Sequence, residues 1–388
     1  MGEITLNQIQ QNASSISTHF KFADEILPKS LSLHFTLFKL INDSDISGLN
    51  TVLHEPYIRH CFYLAEKGQG WVSPNPMVGA VLVHDGEVIG EGFHRVFGGP
   101  HAEVMALHSV IEQNKARIPL SCLYVSLEPC NHHGKTPPCT QLIVASGIKK
   151  LIYSCMDPNP QMSGKSLQWL KNQGIKVCGP VLEQEGRFLI RAFSTTVMEK
   201  RPYIILKFAQ SADGFMGKEG QSIRISNEVS NLLVHKWRSH CDGIAIGFRT
   251  LQTDRPQLTT RHWPGKSPKR VLLSNKSEIP QEYRNHFDDS SEIITLKPGT
   301  SGNWMGDLAN QMQQLYQKGI GQLMVEGGPK TLQKFIDSGL WDEARVITNT
   351  QLQIKQGLKA PTLMGRLVQS FTLNKDHICI FLKSNSLS

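Results

Sequence analysis

Three metal-ligating side chains that lie far apart in the chain constrain its fold more than any other feature. His101 lies in the segment GGPHAEVMAL (98–107), and Cys130 and Cys139 lie in SLEPCNHHGKTPPC (126–139). One imidazole and two thiolates are the neutral nitrogen and soft sulfur ligands that suit zinc. Three protein ligands leave the fourth position open for water, which is typical of a catalytic zinc site. A fold that uses this set must bring the three side chains to one point.

Glu103, two residues beyond the histidine, adds a carboxylate next to these ligands. We predict that a helix begins here with Pro100 at its first position, so that His101 and Glu103 share the opening turn and point off the helix end. Glu103 would then carry protons for a water that zinc acidifies. A histidine-alanine-glutamate segment followed by proline-cysteine is the signature of the zinc deaminases. The alternative is a structural zinc site that His132 or His133 closes as the fourth ligand.

The composition narrows the class of protein. At 388 residues the chain is long enough for two domains. No apolar run reaches the length of a membrane span, and the amino terminus lacks the pattern of a secretory signal. Eight cysteines are too few for a disulfide framework in a chain of this length, which indicates a reducing compartment, and we predict a cytoplasmic protein. The net charge of +8 comes from scattered Lys and Arg, so it favours a phosphorylated small molecule over nucleic acid as the partner.

Strands and helices alternate along the chain, which predicts an α/β layer structure. We divide the sequence into an N-terminal extension of unknown role (1–52), a first domain (53–198) and a second domain (199–388). The extension contains one predicted half-buried strand at 31–37, and the first domain ends with a predicted helix over 183–193. A polar segment marks the boundary between the two domains.

A glycine turn follows a predicted buried strand in the second domain, in the segment VEGGPKT (325–331). Glycines let a ligand approach the backbone, and the free N–H groups at a helix start attract phosphate. The carboxylate of Glu326 would project from the carboxyl end of the strand, where open α/β sheets bind ligands. A purely structural turn is the alternative. No G-x-G-x-x-G segment follows a strand, which disfavours a Rossmann dinucleotide domain.

The first domain contains five motifs: PNPMVG (74–79), GEGFH (90–94), PHAEVMAL (100–107), SLEPCNHHGKTPPC (126–139) and DPNP (157–160). Nucleobase and tRNA deaminases place their two cysteines as P-C-x-x-C, whereas eight residues separate Cys130 from Cys139 here. This longer insert and the motif set resemble one family, the bifunctional deaminase–reductase of riboflavin biosynthesis. The resemblance covers the chain from about residue 54 to its carboxyl terminus.

For the first domain, the resemblance implies a cytidine-deaminase-like three-layer fold. It also implies the hydrolytic deamination of 2,5-diamino-6-(5-phosphoribosylamino)pyrimidin-4(3H)-one to 5-amino-6-(5-phosphoribosylamino)uracil. His101, Cys130 and Cys139 would hold Zn²⁺, and Glu103 would be the catalytic proton carrier. The residues at positions that contact the substrate in the family are Asn75, His94, Lys135, Asp157 and Asn159.

The second domain resembles the reductase of the same family. This resemblance implies a dihydrofolate-reductase-like α/β fold, NADPH as the cofactor, and a hydride transfer that opens the ribose to a ribityl chain. The residues at substrate positions are Lys207, Ser222, Arg238, Leu258, Arg261 and Glu326. The residues at cofactor positions are Ala209, Arg224, Thr250, Asp254, Ser274, Gly328, Pro329, Lys330, Thr331 and Leu332.

The chain departs from the family pattern at three places. Where the family commonly has tryptophan followed by Ile-Thr, the chain has Arg224 followed by Ile-Ser, and where the family has Asp-Asp-Pro, the chain has Asp254 and Arg255 before the proline. The first change removes a flat apolar surface near the cofactor and offers a cation that can bind phosphate. Met77 replaces an asparagine that is often seen in the first loop.

We therefore interpret the chain as a cytoplasmic two-domain enzyme that acts on a phosphoribosyl-pyrimidine and has no nucleic acid or membrane partner. The family resemblance also implies a homo-oligomer, a dimer or a tetramer. Three alternatives remain at this point: a deaminase whose reductase domain is degenerate, a deaminase of nucleic acid, and a non-catalytic protein with a structural zinc ion.

Overall fold

The computed structural model describes residues 51–132, 137–221, 223–274, 280–284, 293–296 and 304–384. Residues 1–50, including the strand predicted at 31–37, therefore lie outside the described residues, and the first described helix already begins at Thr51. The chain divides into two compact units, with the break between Glu199 and Lys200. We refer to them as the first unit and the second unit.

The first unit alternates strands with helices. Its α-helices are α1 (Thr51–Glu66), α2 (Ala102–His108), α3 (Cys139–Ala145), α4 (Lys165–Asn172), α5 (Glu183–Leu189) and α6 (Arg191–Glu199). Its strands are β1 (Gly79–His84), β2 (Glu87–Phe93), β3 (Cys122–Leu127), β4 (Lys150–Cys155) and β5 (Lys176–Cys178). The turn between β1 and β2 is Asp85-Gly86, and both residues have positive φ (47° and 82°), as the Asp-Gly hairpin signal predicts.

The strands of the first unit form one sheet in the order β2-β1-β3-β4-β5. The pairs β2–β1 and β1–β3 are antiparallel, whereas β3–β4 and β4–β5 are parallel. Side chains of α2, α3 and α4 pack on one face of the sheet, and side chains of α1 pack on the other. The unit therefore has three layers, as the predicted cytidine-deaminase-like fold requires.

The helix predicted over 183–193 is in fact two helices, α5 and α6, and the second extends to Glu199. The break falls at Ile190, which follows α5 with φ −95° and ψ 11°. Leu189 and Ile190 are both buried in the same cluster with Ala65 of α1. The change of direction lets two adjacent apolar side chains enter one core, which a straight helix does less well because neighbours point 100° apart.

The second unit has a larger mixed sheet. Its helices are α7 (Glu228–Ser239), α8 (Phe248–Asp254), α9 (Gln281–Arg284), α10 (Trp304–Gln317) and α11 (Pro329–Asp337). Its strands are β6 (Tyr203–Ser211), β7 (Phe215–Gly217), β8 (Gly243–Gly247), β9 (Lys269–Leu273), β10 (Ile293–Leu296), β11 (Gln322–Val325), β12 (Glu343–Asn349), β13 (Leu358–Lys359), β14 (Arg366–Leu373) and β15 (Asp376–Leu382).

Eight of these strands form a sheet in the order β10-β9-β8-β11-β6-β12-β15-β14. The pairs from β10 to β12 are parallel, and β15 and β14 add antiparallel to that edge. Helices α10 and α11 cover one face, and α8 and α9 cover part of the other. Two buried hydrogen bonds of 2.7 Å join the Arg201 guanidinium to the Asp342 carboxylate, which also accepts from the Ile204 nitrogen, so the start of β6 is tied to the start of β12.

Sequence reasoning found most strands of this sheet but missed β14 and the short pair formed by β7 and β13. Strand β14 lies at the edge of the sheet, and the first three of its residues are exposed. The register of β14 shifts between Leu367 and Gln369, and the adjacent apolar residues Leu367 and Val368 are both exposed, so the strand lacks the regular apolar alternation that predicts a strand. In the described part of the chain, no helix combines the length and the apolar character needed to cross a membrane.

Candidate active sites

The start of α2 brings His101 and Glu103 to the same end of a helix. His101 is the N-cap residue, with an extended backbone (φ −73°, ψ 165°), and Glu103 is the second helical residue, with only 3 % of its surface exposed. The prediction that Pro100 occupies the first helical position was wrong, because α2 begins at Ala102. The two functional side chains still lie in the opening turn.

Two glycines of β2 allow α2 to lie directly on that strand. A Cβ atom at Gly92 would lie 2.4 Å from the Ala106 nitrogen, and one at Gly90 would lie 2.5 Å from the Ala106 oxygen. No side chain fits at such distances. The GEGFH motif therefore reflects a close contact between strand and helix that fixes where α2 begins.

The structure brings the three predicted zinc ligands together. Cys130 follows β3, and Cys139 is the first residue of α3. The His101 Nδ1 atom lies 3.4 Å from the Cys130 sulfur and 3.3 Å from the Cys139 sulfur, and the three ligand atoms all lie within 4.8 Å of one another. Two ligands on a tetrahedral zinc ion would be separated by about 3.6 Å, which follows from the usual Zn–S and Zn–N bond lengths. The donor set and its spacing therefore fit zinc.

The ligand group also bears on the alternative of a closed structural site. Among the described residues, the group that could hold a metal consists of His101, Cys130 and Cys139 alone. His132 lies in the wall of the adjacent cleft and is not a member of the group, and His133 lies outside the described residues. The described chain thus leaves the fourth position open.

Hydrogen bonds among the ligands set their protonation. The pKa of Cys130 falls to about 4, mainly because the Cys139 thiol donates to its sulfur, with a further contribution from His101 that helps to outweigh burial. The pKa of Cys139, the donor, is raised by the same hydrogen bond, and the pKa of His101 is raised mainly by its hydrogen bond to Cys130. The Cys139 backbone nitrogen also donates to Cys130 over 3.3 Å. Thiolate is the form of cysteine that binds a soft divalent ion, so Cys130 is ready as a ligand and Cys139 must lose its proton when the metal binds.

Burial dominates the electrostatics of Glu103. It raises the pKa of this carboxyl group to about 7, and the negative charge of the nearby Cys130 adds to the effect. A group whose pKa lies near neutrality can both accept and donate a proton, which is what a general acid–base catalyst must do.

A chain of hydrogen bonds orients Asn75 at the cleft. His94 Nδ1 lies 3.0 Å from the Pro100 carbonyl oxygen, which can only accept, so this nitrogen carries the proton. His94 Nε2 must then accept from Asn75 Nδ2, 3.2 Å away. The amide oxygen of Asn75 is left as an acceptor for a ligand. Burial lowers the pKa of His94, which favours the neutral ring that this arrangement needs.

A cleft of about 290 Å³ joins these groups. Asn75, His94 and Asp157 lie in its wall together with the zinc ligands His101 and Cys130. Burial raises the pKa of Asp157, whose Oδ1 atom accepts from the Asn159 nitrogen over 2.8 Å. Asn159 itself is not in the wall of the cleft, and Lys135 lies outside the described residues. Glu128, to which sequence analysis assigned no role, also lines the cleft.

In the second unit the structure brings together Lys207, Arg238 and Glu326. Arg238 donates two hydrogen bonds to the Glu326 carboxylate, over 2.8 and 2.9 Å, and Lys207 Nζ lies 3.6 Å from the same group. Burial raises the pKa of Glu326, but the two cations outweigh burial and hold this pKa at about 2. As predicted, Glu326 directly follows the carboxyl end of strand β11.

Two histidines that sequence analysis did not single out lie beside these residues. The ring of His235 meets the ring of His262 edge to face, with centroids 4.7 Å apart. Burial, followed by the charges of Arg261, Arg224 and Arg238, lowers the pKa of His262. The positive charges that act on His262 make this region of the second unit suited to an anionic ligand.

The glycine segment predicted to approach the cofactor faces the start of α8. Gly328 is the N-cap residue of α11 and Pro329 follows at its first position. The Gly328 nitrogen donates to Thr250 Oγ1 over 3.1 Å, so part of the N–H capacity at this helix start is already used within the protein. A Cβ atom at Gly247 would lie 2.7 Å from Thr331 Oγ1, which shows how closely the end of β8 approaches α11.

Other predicted residues of the second unit have their side chains elsewhere. Leu258 and Leu332 are buried in two hydrophobic clusters, and Ser274, which donates its backbone N–H to the Leu296 oxygen, is also buried. Arg224 is exposed and lies 3.7 Å from Glu228. Asp254 is the last residue of α8, Ala209 lies in β6, and Ser222 lies outside the described residues.

Comparison with known proteins covers both units. Residues 52–155 match the family model for the cytidine and deoxycytidylate deaminase zinc-binding region, and residues 202–352 match the model for the RibD C-terminal domain. The riboflavin biosynthesis protein RibD of Aquifex aeolicus (strain VF5) is 39 % identical over 325 residues, which span 80 % of this chain and 87 % of that protein. The RibD protein of Escherichia coli (strain K12) is 32 % identical over 318 residues, 74 % of this chain and 85 % of the relative.

The chain belongs to the RibD family.

Two solved structures agree with this assignment. The diaminohydroxyphosphoribosylaminopyrimidine deaminase/5-amino-6-(5-phosphoribosylamino)uracil reductase of Thermotoga maritima is 32 % identical, with a TM-score of 0.75, over 86 % of this chain and 99 % of that one. Acinetobacter baumannii RibD (form 1) is 29 % identical, with a TM-score of 0.75, over 86 % of this chain and 100 % of that one.

Membership of the RibD family makes the chain a bifunctional enzyme of riboflavin biosynthesis, with a deaminase and a reductase in one polypeptide. The deaminase requires Zn²⁺ and the reductase requires NADPH. Because both regions match, this interpretation is favoured over a deaminase with a degenerate reductase and over a deaminase of nucleic acid. The predicted family and fold class are confirmed.

Proposed function

We propose that residues 53–198 remove the 2-amino group of 2,5-diamino-6-(5-phosphoribosylamino)pyrimidin-4(3H)-one as ammonia and that residues 199–388 reduce the product. The observation that carries the proposal for deamination is that His101, Cys130 and Cys139 converge at a cleft whose wall includes His101, Cys130 and Glu103. Two thiolates, an imidazole and a buried carboxylate at an open cleft are the groups that hydrolytic deamination of a pyrimidine uses. Zn²⁺, held by the first three, supplies an acidified water.

In this proposal each protein group of the first unit has one task. Glu103 takes a proton from the attacking water and delivers a proton to the departing amine. Asn75 accepts a hydrogen bond from the pyrimidine through the amide oxygen that His94 leaves free. Asp157 and Asn159 bind the ribosyl part of the substrate, and Lys135 binds its phosphate.

In the second unit NADPH supplies a hydride to C1′ of the ribosyl group. Lys207, Arg238 and Arg261 provide positive charge for the phosphorylated substrate, and Glu326 keeps two of these cations oriented through its ion pairs. We assign Ser222 and Leu258 to substrate contacts as well. The cofactor would lie along Thr250 and the segment from Gly328 to Leu332, together with the other cofactor positions named above.

We further propose that the enzyme is a cytoplasmic homo-oligomer, a dimer or a tetramer, and that its partner is a small phosphoribosyl-pyrimidine without a nucleic acid or a membrane. The scattered positive charge supports a phosphorylated small molecule. Light scattering of the purified protein measures the oligomeric state, and a monomer at micromolar concentration would contradict this part of the proposal.

The test is an assay of the purified protein with the diaminopyrimidine ribotide in which ammonia and NADPH are followed separately. We expect one ammonia released and one NADPH consumed per substrate. After removal of zinc with a chelator, ammonia release should stop, whereas reduction of added 5-amino-6-(5-phosphoribosylamino)uracil should continue, because the zinc ligands all belong to the first unit. Loss of both activities on chelation, or no ammonia from the intact enzyme, would contradict the proposal.

A further inference from the structure

Glu128 lies in the first unit where the ends of β3 and β4 meet, and the proposed mechanism assigns it no role. It follows β3 directly and precedes Cys130 by two residues, and 5 % of its surface is exposed. Its backbone nitrogen donates to the Cys155 oxygen at the end of β4 over 2.9 Å. The residue therefore sits between the ends of two parallel strands, in the wall of the cleft that contains the zinc ligands.

The carboxylate of Glu128 accepts four hydrogen bonds from one segment of the chain. Oε2 accepts from the backbone nitrogens of Asp157 (3.1 Å) and Gly164 (2.9 Å). Oε1 accepts from the nitrogen (3.2 Å) and the hydroxyl group (2.5 Å) of Ser166. Both oxygens are thus used, and all four donors lie between Asp157 and the first turn of α4.

The chemistry of this arrangement requires a carboxylate. Among the described residues, no lysine, arginine or histidine forms an ion pair with Glu128, so its buried charge is balanced by neutral N–H and O–H donors. Hydrogen bonds to an ionised acceptor are stronger than neutral ones, and a buried acceptor without donors is costly. A side chain that offers fewer acceptor sites would leave buried backbone N–H groups unpaired.

The anchored segment begins with Asp157, which lines the cleft. The Asp157 side chain accepts from the Asn159 nitrogen, which shapes the turn that follows. Because Cys130 is two residues from Glu128, the same side chain connects the metal-binding segment to this turn. The distance between the metal and the ribose-facing end of the cleft thus depends on Glu128.

We propose that Glu128 is a positioning residue for deamination, which holds the turn from Asp157 to Asn159 at a fixed place relative to Cys130. Glu128 itself does not touch the reacting atoms. The inference rests on the proposed deaminase function, and it concerns substrate binding rather than the proton transfers that Glu103 performs.

The variant Glu128→Gln tests the proposal. The amide has the same shape, but whichever way it is turned its NH₂ group faces at least one backbone N–H, which then loses its acceptor. We expect KM for the diaminopyrimidine ribotide to rise at least tenfold, kcat to change less than threefold, and the zinc content and the reductase rate to stay unchanged. The matched control is Glu112→Gln, an exposed carboxylate of the same unit, which should leave KM unchanged.

Two results would overturn the proposal: a KM within twofold of the unaltered enzyme, with or without a lower melting temperature, or a loss of zinc. Amide hydrogen exchange of the unaltered protein provides a second measurement if the variant does not fold. The amides of Gly164 and Ser166 should be protected as strongly as those of β4, and exchange at the rate of free loop amides would refute the anchor. Absence of ammonia release from the unaltered enzyme would instead refute the proposed function, and the exchange experiment would still decide the anchor.

Discussion

Arg238 and Glu326 form a buried ion pair with two parallel hydrogen bonds of 2.8 and 2.9 Å, and they come from positions 88 residues apart in the sequence. Lys207 lies 3.6 Å from the same carboxylate. One carboxylate thus balances two cations. The three residues are positioned by different elements, Lys207 by β6, Arg238 by α7 and Glu326 by the end of β11, so their encounter depends on the complete fold of the second unit.

Replacement of Glu326 by glutamine should destabilise the second unit by about 3 kcal/mol and abolish reduction, because it leaves two buried cations without a counter-charge. Chemical denaturation and the NADPH assay measure the two effects. Ammonia release should persist. The control is Glu219→Gln, which breaks an exposed pair with Arg249 and should cost less than about 1 kcal/mol. Reduction at an unchanged rate in Glu326→Gln would contradict the importance of this pair.

The Glu326 carboxylate should make the stability of the second unit depend on pH in the acid range. Its pKa is held at about 2, below the ordinary value of 4.5, so the folded state binds the proton less tightly than the unfolded state. The stabilisation is fully present above pH 4.5 and is lost as the pH falls toward 2. Denaturation between pH 5 and 2 should therefore show a steeper loss of unfolding free energy in the unaltered protein than in Glu326→Gln. Equal slopes would argue against a depressed pKa.

Replacement of Glu103 by glutamine should lower kcat for ammonia release by about 10²–10⁴-fold, the range for loss of a general acid–base catalyst. The variant keeps the size of the side chain, and the three ligand atoms are untouched. Zinc content by atomic absorption should remain one per chain, and the NADPH reaction should be unaffected. A variant that retained full turnover would remove Glu103 from the mechanism, and one that lost zinc would make it a structural residue.

Replacement of Asn75 by aspartate should raise KM for the deaminase substrate by about tenfold, because a carboxylate cannot donate to His94 Nε2. The neutral hydrogen-bond chain is then lost or is replaced by an ion pair with a protonated His94. The expected change depends on the proton position deduced from the Pro100 carbonyl. The control, Asn172→Asp, makes the same chemical change at an exposed position of α4. Steady-state kinetics of ammonia release compares the two, and equal KM values would show that Asn75 is not oriented in this way.

Replacement of Gly92 by alanine should displace α2, because the added Cβ atom would lie 2.4 Å from the Ala106 nitrogen. Overpacking of this kind costs about 1–3 kcal/mol. We expect a lower melting temperature of the first unit and weaker zinc binding, since His101 caps the displaced helix. The control is Val88→Ala on the same strand, where the side chain is partly exposed. Zinc titration with a chromophoric chelator checks the result, and unchanged affinity would show that α2 adapts.

The sequence predicted that the fold brings His101, Cys130 and Cys139 together, because each is a residue type with few other uses and the motif is long. It could not show the partners of Glu128, because Asp157 and Gly164 donate through their backbone nitrogens, which nearly every residue type has. The sequence also did not predict the pairing of Arg238 with Glu326. Each was predicted to face a ligand, and only the fold shows that they face each other. Strand β14 was missed because the bulge at Val368 interrupts the alternation of its apolar residues.

The order of strands in the larger sheet has a consequence for the nascent chain. Strand β6, the first of the second unit, pairs with β11 and β12, which lie more than 100 residues further along the chain. Arg201, just before β6, likewise forms its ion pair with the distant Asp342. During synthesis β6 therefore leaves the ribosome long before either neighbour exists. All strands of the first sheet precede Glu199, so the first unit is fully synthesised before the second. Translation therefore separates the folding of the two units in time.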